Sequence, residues 1–293
     1  FHDTVRPLVS QRIINDVIDA LQRYKAIDVA MPATDTIIET EGDFIRSIPD
    51  RSRLKRGQTP QAFEIETIRR AYEIALQDPQ LKVTDDCGVV VKYLPDGADI
   101  AALLQEKGTR VFCFSRKLNH TDVGNKEQVA AALRQVYRQT QRIDYVINTA
   151  GVLNKEPLVA TDYQTIAGAV NTNYLGTVHV ALEAYPYLKE SKGKLLFFTS
   201  SSYTRGRAFY SIYSSTKAAI VNFVQAIAQE WESQGICVNC INPERTKTPM
   251  RVRNFGVEPE DSLLSSQKVA QVSVQSLLTD FTGQVIDVKR EEV

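Results

Sequence analysis

Glycine is the scarce residue of this sequence: it fills 14 of 293 positions, where an average protein carries about 7%. No two of the 14 stand in a GxG spacing, so the chain holds no complete phosphate-cradling glycine loop. An excess of either charge is also lacking. Lys+Arg and Asp+Glu both number 35, which excludes nucleic-acid binding through bulk charge and polybasic docking on a membrane. No stretch approaches the roughly 18 consecutive apolar residues of a transmembrane span. Apolar residues at 43% and charged residues at 24% exclude disorder and collagen and leave ordinary globular composition.

Cysteine is sparse too: Cys87, Cys113, Cys237 and Cys240. The last two form a CxxC, but it lies inside Ile236-Cys237-Val238-Asn239-Cys240-Ile241, a buried-strand pattern with no second Cys or His pair nearby, so packing is expected rather than metal or redox chemistry. His179 sits in an apolar helix pattern and reads as packing. Phe1-His2-Asp3 opens directly into folded-looking sequence without a secretory leader, so a cytoplasmic enzyme is expected.

From Arg110 onward, strand and helix patterns alternate. Arg110-Val111-Phe112-Cys113-Phe114, Ile143 to Thr149, Leu195 to Thr199, Ile236 to Ile241 and Val285 to Val288 read as strands. Lys126 to Gln139, a segment entered through the capping box Thr161-Asp162-Tyr163-Gln164, Tyr213 to Trp231 and Gln267 to Phe281 read as helices. This alternation predicts α/β architecture with a doubly wound parallel sheet. The first 96 residues differ in texture, with helices expected at Ile13 to Tyr24 and Phe63 to Leu76, strand-like pieces at Ile27 to Ala30 and Thr36 to Glu39, and a basic turn-rich segment at Arg51 to Gly57. Leu94-Pro95-Asp96-Gly97 is the expected boundary, giving domains over 1–96 and 97–293. No repeat or low-complexity tract is visible.

Tyr213-Ser214-Ser215-Thr216-Lys217 is a YxxxK. Residues four apart share a helical face, so the Lys217 ammonium can favour the Tyr213 phenolate and fit the phenol for general acid/base work. Ser200 and Ser201, at a strand end upstream, can hydrogen-bond a carbonyl oxygen as charge develops on it. The second YxxxK, Tyr185 and Lys189, has no such serine and reads as surface and packing. With these residues the sequence resembles the short-chain dehydrogenase/reductase family. Asn148-Thr149-Ala150-Gly151 is similar to that family's NNAG motif, and Asn173 to its helix asparagine, completing an Asn-Ser-Tyr-Lys tetrad. Val238 to Pro243 with Thr248 and Met250 resembles the segment that closes on the nicotinamide, with Glu244 in place of the usual glycine. The resemblance implies a Rossmann domain and hydride transfer between NAD(P)H and a carbonyl or alcohol.

At the end of the second strand stand Ser115, Arg116 and Lys117, where basic residues favour a 2'-phosphate and hence NADP(H). Asp122 resembles the family's adenine-contacting aspartate. Gly97 and the helix after it resemble the end of a TGxxxGIG loop whose first strand and earlier glycines are absent.

In the first 95 residues, Asp3, Arg6, Arg51, Thr59 and Asp85 belong to an ordered set whose chemistry suits a polyphosphate: carboxylates for Mg²⁺ or ribose, guanidinium forks for phosphate. Together they resemble the later half of cytidylyltransferases that make CDP-polyols, with CTP as substrate, Mg²⁺ as its metal and Asp3 as a ligand. A partial nucleotidyltransferase unit followed by a short-chain reductase looks like the bifunctional ribulose-5-phosphate reductase/CDP-ribitol pyrophosphorylases of capsule and teichoic-acid pathways. The implied substrates are a pentulose or pentitol phosphate and CTP, with no nucleic acid or membrane partner. The cations Arg205, Arg207, Arg245, Lys247 and Arg251 are candidates for the substrate phosphate. Another polyol phosphate such as methylerythritol phosphate, or a non-catalytic nucleotide-binding scaffold, are the alternative readings.

The helices over 162–190 and 213–231 resemble the pair that builds homodimers or higher oligomers in the reductase family. Both places short of glycine, before Phe1 and before Gly97, are where the two families put a phosphate loop. The expectation is that both loops exist in the protein but not in this sequence. Intact mass of the purified protein should then exceed 32.8 kDa; a value equal to it would favour the scaffold reading.

Overall fold

A computed structural model describes residues 9–22, 26–51, 54–63, 65–76, 86, 89–90, 98–116, 119–256, 258–259 and 262–290. The chain divides into two compact units, residues 1–94 and 95–293.

In the first unit, α1 spans Gln11–Leu21 and starts at Ser10, whose hydroxyl accepts the Ile13 amide at 3.3 Å. That N-cap satisfies one of the first-turn donors. Strand β1 (Ala26–Pro32) pairs antiparallel with β4 (Lys55–Phe63), and β2 (Glu39–Glu41) with β3 (Phe44–Ser47). Helix α2 covers Ile65–Ala75. Two expectations change here. Residues 36–38 are unpaired, and the strand begins only at Glu39. The segment read as turn-rich up to Gly57 is strand from Lys55 onward. It accommodates Pro60 because the register jumps from Asp28↔Gln61 to Val29↔Gln58, which leaves Thr59 and Pro60 out of the ladder. A residue without an N–H is tolerated at such a bulge.

The second unit is built on four parallel strands in the order β5 (Tyr145–Asn148), β6 (Lys194–Phe198), β7 (Cys237–Pro243) and β8 (Val285–Val288). Each strand is joined to the next by helix, as parallel pairing requires. The side chains alternate between two cores. Leu195, Phe197, Val238 and Cys240 pack under α6 (Gly176–Ser191) and α7 (Ser211–Trp231), with Leu188, Ile220 and Val224. Leu196, Ile241 and Val288 face the other way, toward α3 (Ala98–Glu106) and α9 (Ser266–Leu277). A parallel sheet covered on both faces is the doubly wound arrangement the alternation predicts.

Helix α4 (Lys126–Thr140) is capped by Asn125, and the remaining elements are α5 (Tyr163–Val170) and α8 (Pro249–Phe255). Between α5 and α6, Asn171–Leu175 forms a π-helical turn. Three local readings are corrected. The cap of α5 is Asp162, whose carboxylate accepts the Thr165 amide at 2.9 Å, rather than Thr161; the carboxylate also accepts the Thr165 hydroxyl at 2.6 Å, so it satisfies the first turn directly. Helix α9 ends at Leu277, four residues short of Phe281. Arg110–Phe114 forms no strand: in doubly wound order it would pair with the strand that precedes Gly97, and none is described there. Val111 packs on the second core nonetheless.

Leu188 is fully buried in the first core. Leu188→Ala should therefore destabilise this unit by about 2–5 kcal/mol, read as a lowered urea midpoint.

Candidate active site

The carboxyl ends of β5, β6 and β7 and the start of α7 converge on one site. Helix α7 begins at Ser211, so Tyr213 lies in its first turn and Lys217 one turn on. Lys217 is 4% exposed. Its ammonium donates to the Phe198 carbonyl at the end of β6 at 2.7 Å and lies 5.5 Å from the centre of the Tyr213 ring. Burial pushes its pKa down to about 8. The neighbouring Cys240 thiol, pushed up to about 12 by burial, stays neutral at physiological pH. The Tyr213 phenol is raised by burial, and a hydrogen bond from Ser200 opposes that rise. Ser200 thus faces the phenol. It also caps the turn Ser201–Tyr203, with the Ser202 hydroxyl at 3.2 Å. The carbonyl of Ser201 accepts the Thr204 hydroxyl at 3.2 Å.

Asn173 is fully buried in the π-helical turn. Its amide clasps the backbone of Val152, accepting the N–H at 2.8 Å and donating to the carbonyl at 3.0 Å, and it donates to Thr216 on α7 at 3.1 Å. This fixes the loop after β5. Within that loop Gly151 passes over the amine: a Cβ there would lie 3.5 Å from Asn173 Oδ1 and 3.6 Å from Lys217 Nζ. Asn148 turns back to accept the Ala150 amide at 3.1 Å. The four tetrad residues and Asn148, Ala150 and Gly151 are therefore brought together.

The loop 115–124 holds the other candidates for cofactor contact. Ser115 accepts the amides of Asn119 and Thr121, and Asp122 accepts that of Gly124 at 2.8 Å. Arg116 stays more than half exposed, 3.9 Å from the Asp122 carboxylate. At Gly124 a Cβ would come within 2.2 Å of the Asn171 amide nitrogen, so that side chain would have to shift to admit one. Pro243 ends β7 and Thr248 caps α8 by accepting the Arg251 amide at 3.2 Å. Gly97 and Lys117 lie outside the described residues.

Of the cations, Arg205 and Arg207 are exposed. Arg251 is held by Glu258 through bonds of 2.6 and 2.9 Å, with Arg245 3.8 Å from the same carboxylate. A pocket lined by Val152, Asn154, Glu156, Phe209, Tyr210 and Tyr213, among others, opens beside the phenol. In the first unit Arg51 is exposed and its guanidinium lies 3.5 Å from the Thr34 carbonyl, while Thr59 sits in the bulge. Asp3, Arg6 and Asp85 lie outside the described residues, among which no group of three metal-binding side chains is formed. Cys237 and Cys240, three apart on β7, point to opposite faces, and Cys240 is core. His179 bonds the Val123 carbonyl at 2.9 Å, and Tyr185 packs on Trp231 at 4.9 Å. Sequence reasoning passed over Thr216, Tyr210, Lys155, Phe255 and Glu258. Only Thr216, inside the YxxxK, carried a signal.

An unfolded lysine keeps its proton to about pH 10.4, so between about pH 8 and that value the unfolded state binds more protons and stability gains from this group as pH rises. Below pH 8 the buried ammonium costs stability. Lys217→Met should abolish reduction without lowering the melting temperature at pH 7, and in the parent the reduction rate should fall as pH rises through about 8.

A family model for short chain dehydrogenase matches residues 82–256, and one for 2-C-methyl-D-erythritol 4-phosphate cytidylyltransferase matches residues 1–100. The chain is 38% identical to the bifunctional ribulose 5-phosphate reductase/CDP-ribitol pyrophosphorylase Bcs1 of Haemophilus influenzae, over 98% of this chain and 74% of that protein. That alignment runs over 351 positions, more than the 293 residues of this chain, so the relative carries residues within the matched span that this sequence does not. A ribitol-5-phosphate cytidylyltransferase of Lactiplantibacillus plantarum is 41% identical over 30% of this chain and 38% of that enzyme. The fold of the second unit matches a 3-ketoacyl-(acyl-carrier-protein) reductase from Brucella melitensis complexed with NADH, with TM-score 0.54 and 22% identity, covering 57% of this chain and 75% of that one. The chain belongs to the short-chain dehydrogenase family and, taken whole, to the family of bifunctional ribulose 5-phosphate reductase/CDP-ribitol pyrophosphorylases.

Proposed function

We propose that the chain serves CDP-ribitol synthesis, reducing D-ribulose 5-phosphate to D-ribitol 5-phosphate with NADPH in its second unit and contributing in its first to cytidylyl transfer from CTP, with release of pyrophosphate. The observation that carries the reductase half is the convergence of Ser200, Tyr213, Lys217 and Asn173 at one sheet edge. The cytidylyl half rests on relatedness, with Asp3, Arg6, Arg51 and Thr59 as its proposed contacts and Mg²⁺ as its metal.

A nicotinamide cofactor, when bound, supplies hydride to the ketone carbon. The residues present fit such a group: Gly151 allows close approach over the Lys217 amine, and the exposed Arg116 guanidinium beside Asp122 suits a 2'-phosphate. In this reading the Ser200 hydroxyl donates to the carbonyl oxygen as charge grows there. The Tyr213 phenol gives its proton to the same oxygen, and the Lys217 ammonium stabilises the phenolate left behind. Asn173 keeps the Val152 backbone and α7 in register, so that the amine stays where the phenolate forms. Solvent restores the phenol proton before the next turnover.

No helix among the described residues is long and apolar enough to cross a membrane. Cytoplasmic action as a homodimer belongs to the same reading. Leu175 and Leu182, exposed on the 171–191 helical stretch, are apolar surface that pairing would cover.

The purified protein should oxidise NADPH with D-ribulose 5-phosphate, Tyr213→Phe should lower kcat by at least about 10²-fold, and Arg116→Ala should shrink the preference for NADPH over NADH. Turnover of another ketone but not this one would overturn the substrate assignment, and release of pyrophosphate from CTP with ribitol 5-phosphate tests the other half.

A further inference from the structure

Three cations beside the reductase pocket converge on one carboxylate and one ring, and the serine–tyrosine–lysine chemistry uses none of them. Arg251 is locked by its two bonds to Glu258 and lies 4.2 Å above the centre of the Phe255 ring. Lys155 Nζ lies 4.7 Å from the centre of the same ring. Arg245 reaches Glu258 only at 3.8 Å. All three hold the Glu258 carboxyl below its ordinary range, Arg251 first through its hydrogen bonds. Among the described residues no other ion pair engages them. Among the described residues these three positive charges therefore share the one Glu258 carboxylate.

This cluster adjoins the catalytic phenol. Phe255 stands edge-on to Tyr210, with centroids 5.8 Å apart, and Tyr210 lies 6.3 Å from Tyr213. Lys155 falls between Asn154 and Glu156, both of which line the pocket that Tyr213 enters. The members differ in freedom. Arg251 is 18% exposed and fixed, whereas Arg245 is 55% exposed and loosely paired. Lys155 is exposed and, among the described residues, is held through the ring face, a contact that an anion outcompetes.

We propose that Lys155 and Arg245 form a phosphate subsite of the reductase, framed by the Arg251–Glu258 pair and the Phe255 ring. It takes the terminal phosphate of the ketose phosphate while the carbonyl faces Ser200 and Tyr213. A phosphate monoester carries close to two negative charges at neutral pH, an anion that the loosely paired Arg245 and the ring-bound Lys155 can meet together. The subsite rests on the reading of the substrate as a sugar phosphate.

Steady-state reduction of D-ribulose 5-phosphate and of D-ribulose by the purified protein tests it. Lys155→Gln and Arg245→Gln should each cut the ratio of the two kcat/KM values at least tenfold, through KM. Inorganic phosphate should compete with the sugar phosphate in the parent and inhibit several-fold less in both variants. Arg253→Gln, which removes an exposed cation of the same helix, should leave the ratio unchanged. A ratio and a phosphate inhibition unaltered by both Lys155→Gln and Arg245→Gln would overturn the subsite and leave the reductase reading intact. If the parent reduces a different ketone instead, the substrate reading falls, and phosphate inhibition of that reaction in parent and variants judges the subsite separately.

Discussion

A buried ammonium governs the geometry of the second unit. Lys217 is held almost out of water between α7 and the end of β6, an environment in which an unpaired charge is costly. The Phe198 carbonyl offsets part of that cost, and it can do so only because β6 ends there and leaves the carbonyl free of the ladder. Thr199 then accepts no freedom either: its hydroxyl binds the Lys217 carbonyl at 2.8 Å and its amide the Ile241 carbonyl at 2.9 Å. The strand end, the helix and the neighbouring strand are thus tied to one another around the amine. Stability is given up at this point to hold a group whose proton equilibrium is set for chemistry, as strained or destabilised functional positions commonly show.

Two further constraints follow from the same amine. The chain after β5 must pass close above it, and Gly151 with the Asn173 amide clasp makes that passage possible. Asn173 can reach Val152 and Thr216 together because the helical stretch opens into a π turn at Asn171–Leu175. Such turns interrupt the regular ladder and occur at functional sites. Tyr213, one turn before the lysine, is left facing the Ser200 hydroxyl and the mouth of the pocket.

Much of this was legible in the sequence because it rests on local spacing. The four-residue step from Tyr213 to Lys217 needs only helical periodicity, and Ser200 follows from counting back to a strand end. Asn173 was placed by resemblance alone; nothing in Asn173-Tyr174-Leu175-Gly176 announces a π turn. What escaped are features that depend on pairing between distant segments. Arg110–Phe114 has strand composition, yet strand formation needs a neighbour to supply hydrogen bonds. Lys55 to Phe63 contains Gly57 and Pro60, which read as turn, yet the partner strand β1 tolerates them through a shifted register. The Asp162 cap differs from the Thr161 reading by one residue, within the usual uncertainty of helix starts.

The cluster around Glu258 illustrates the same limit more sharply. In the sequence Arg251 stands among five candidate phosphate cations, but Lys155 and Glu258 read as ordinary surface charges, 103 positions apart, and Phe255 is an unremarked aromatic. Folding brings them together because the loop after β5 and the segment after β7 leave the sheet at the same edge, where a doubly wound fold gathers its ligand contacts. Conservation of charge across the chain hides this. A net charge of zero excludes a basic protein but not a local cluster of positive charges beside one pocket. Electroneutrality of the whole and positive potential at the site are compatible, since interactions between exposed charges fade beyond about a Debye length of 8 Å. The balance of 35 against 35 therefore speaks against polyanionic partners, and only the folded geometry speaks for a small phosphorylated one.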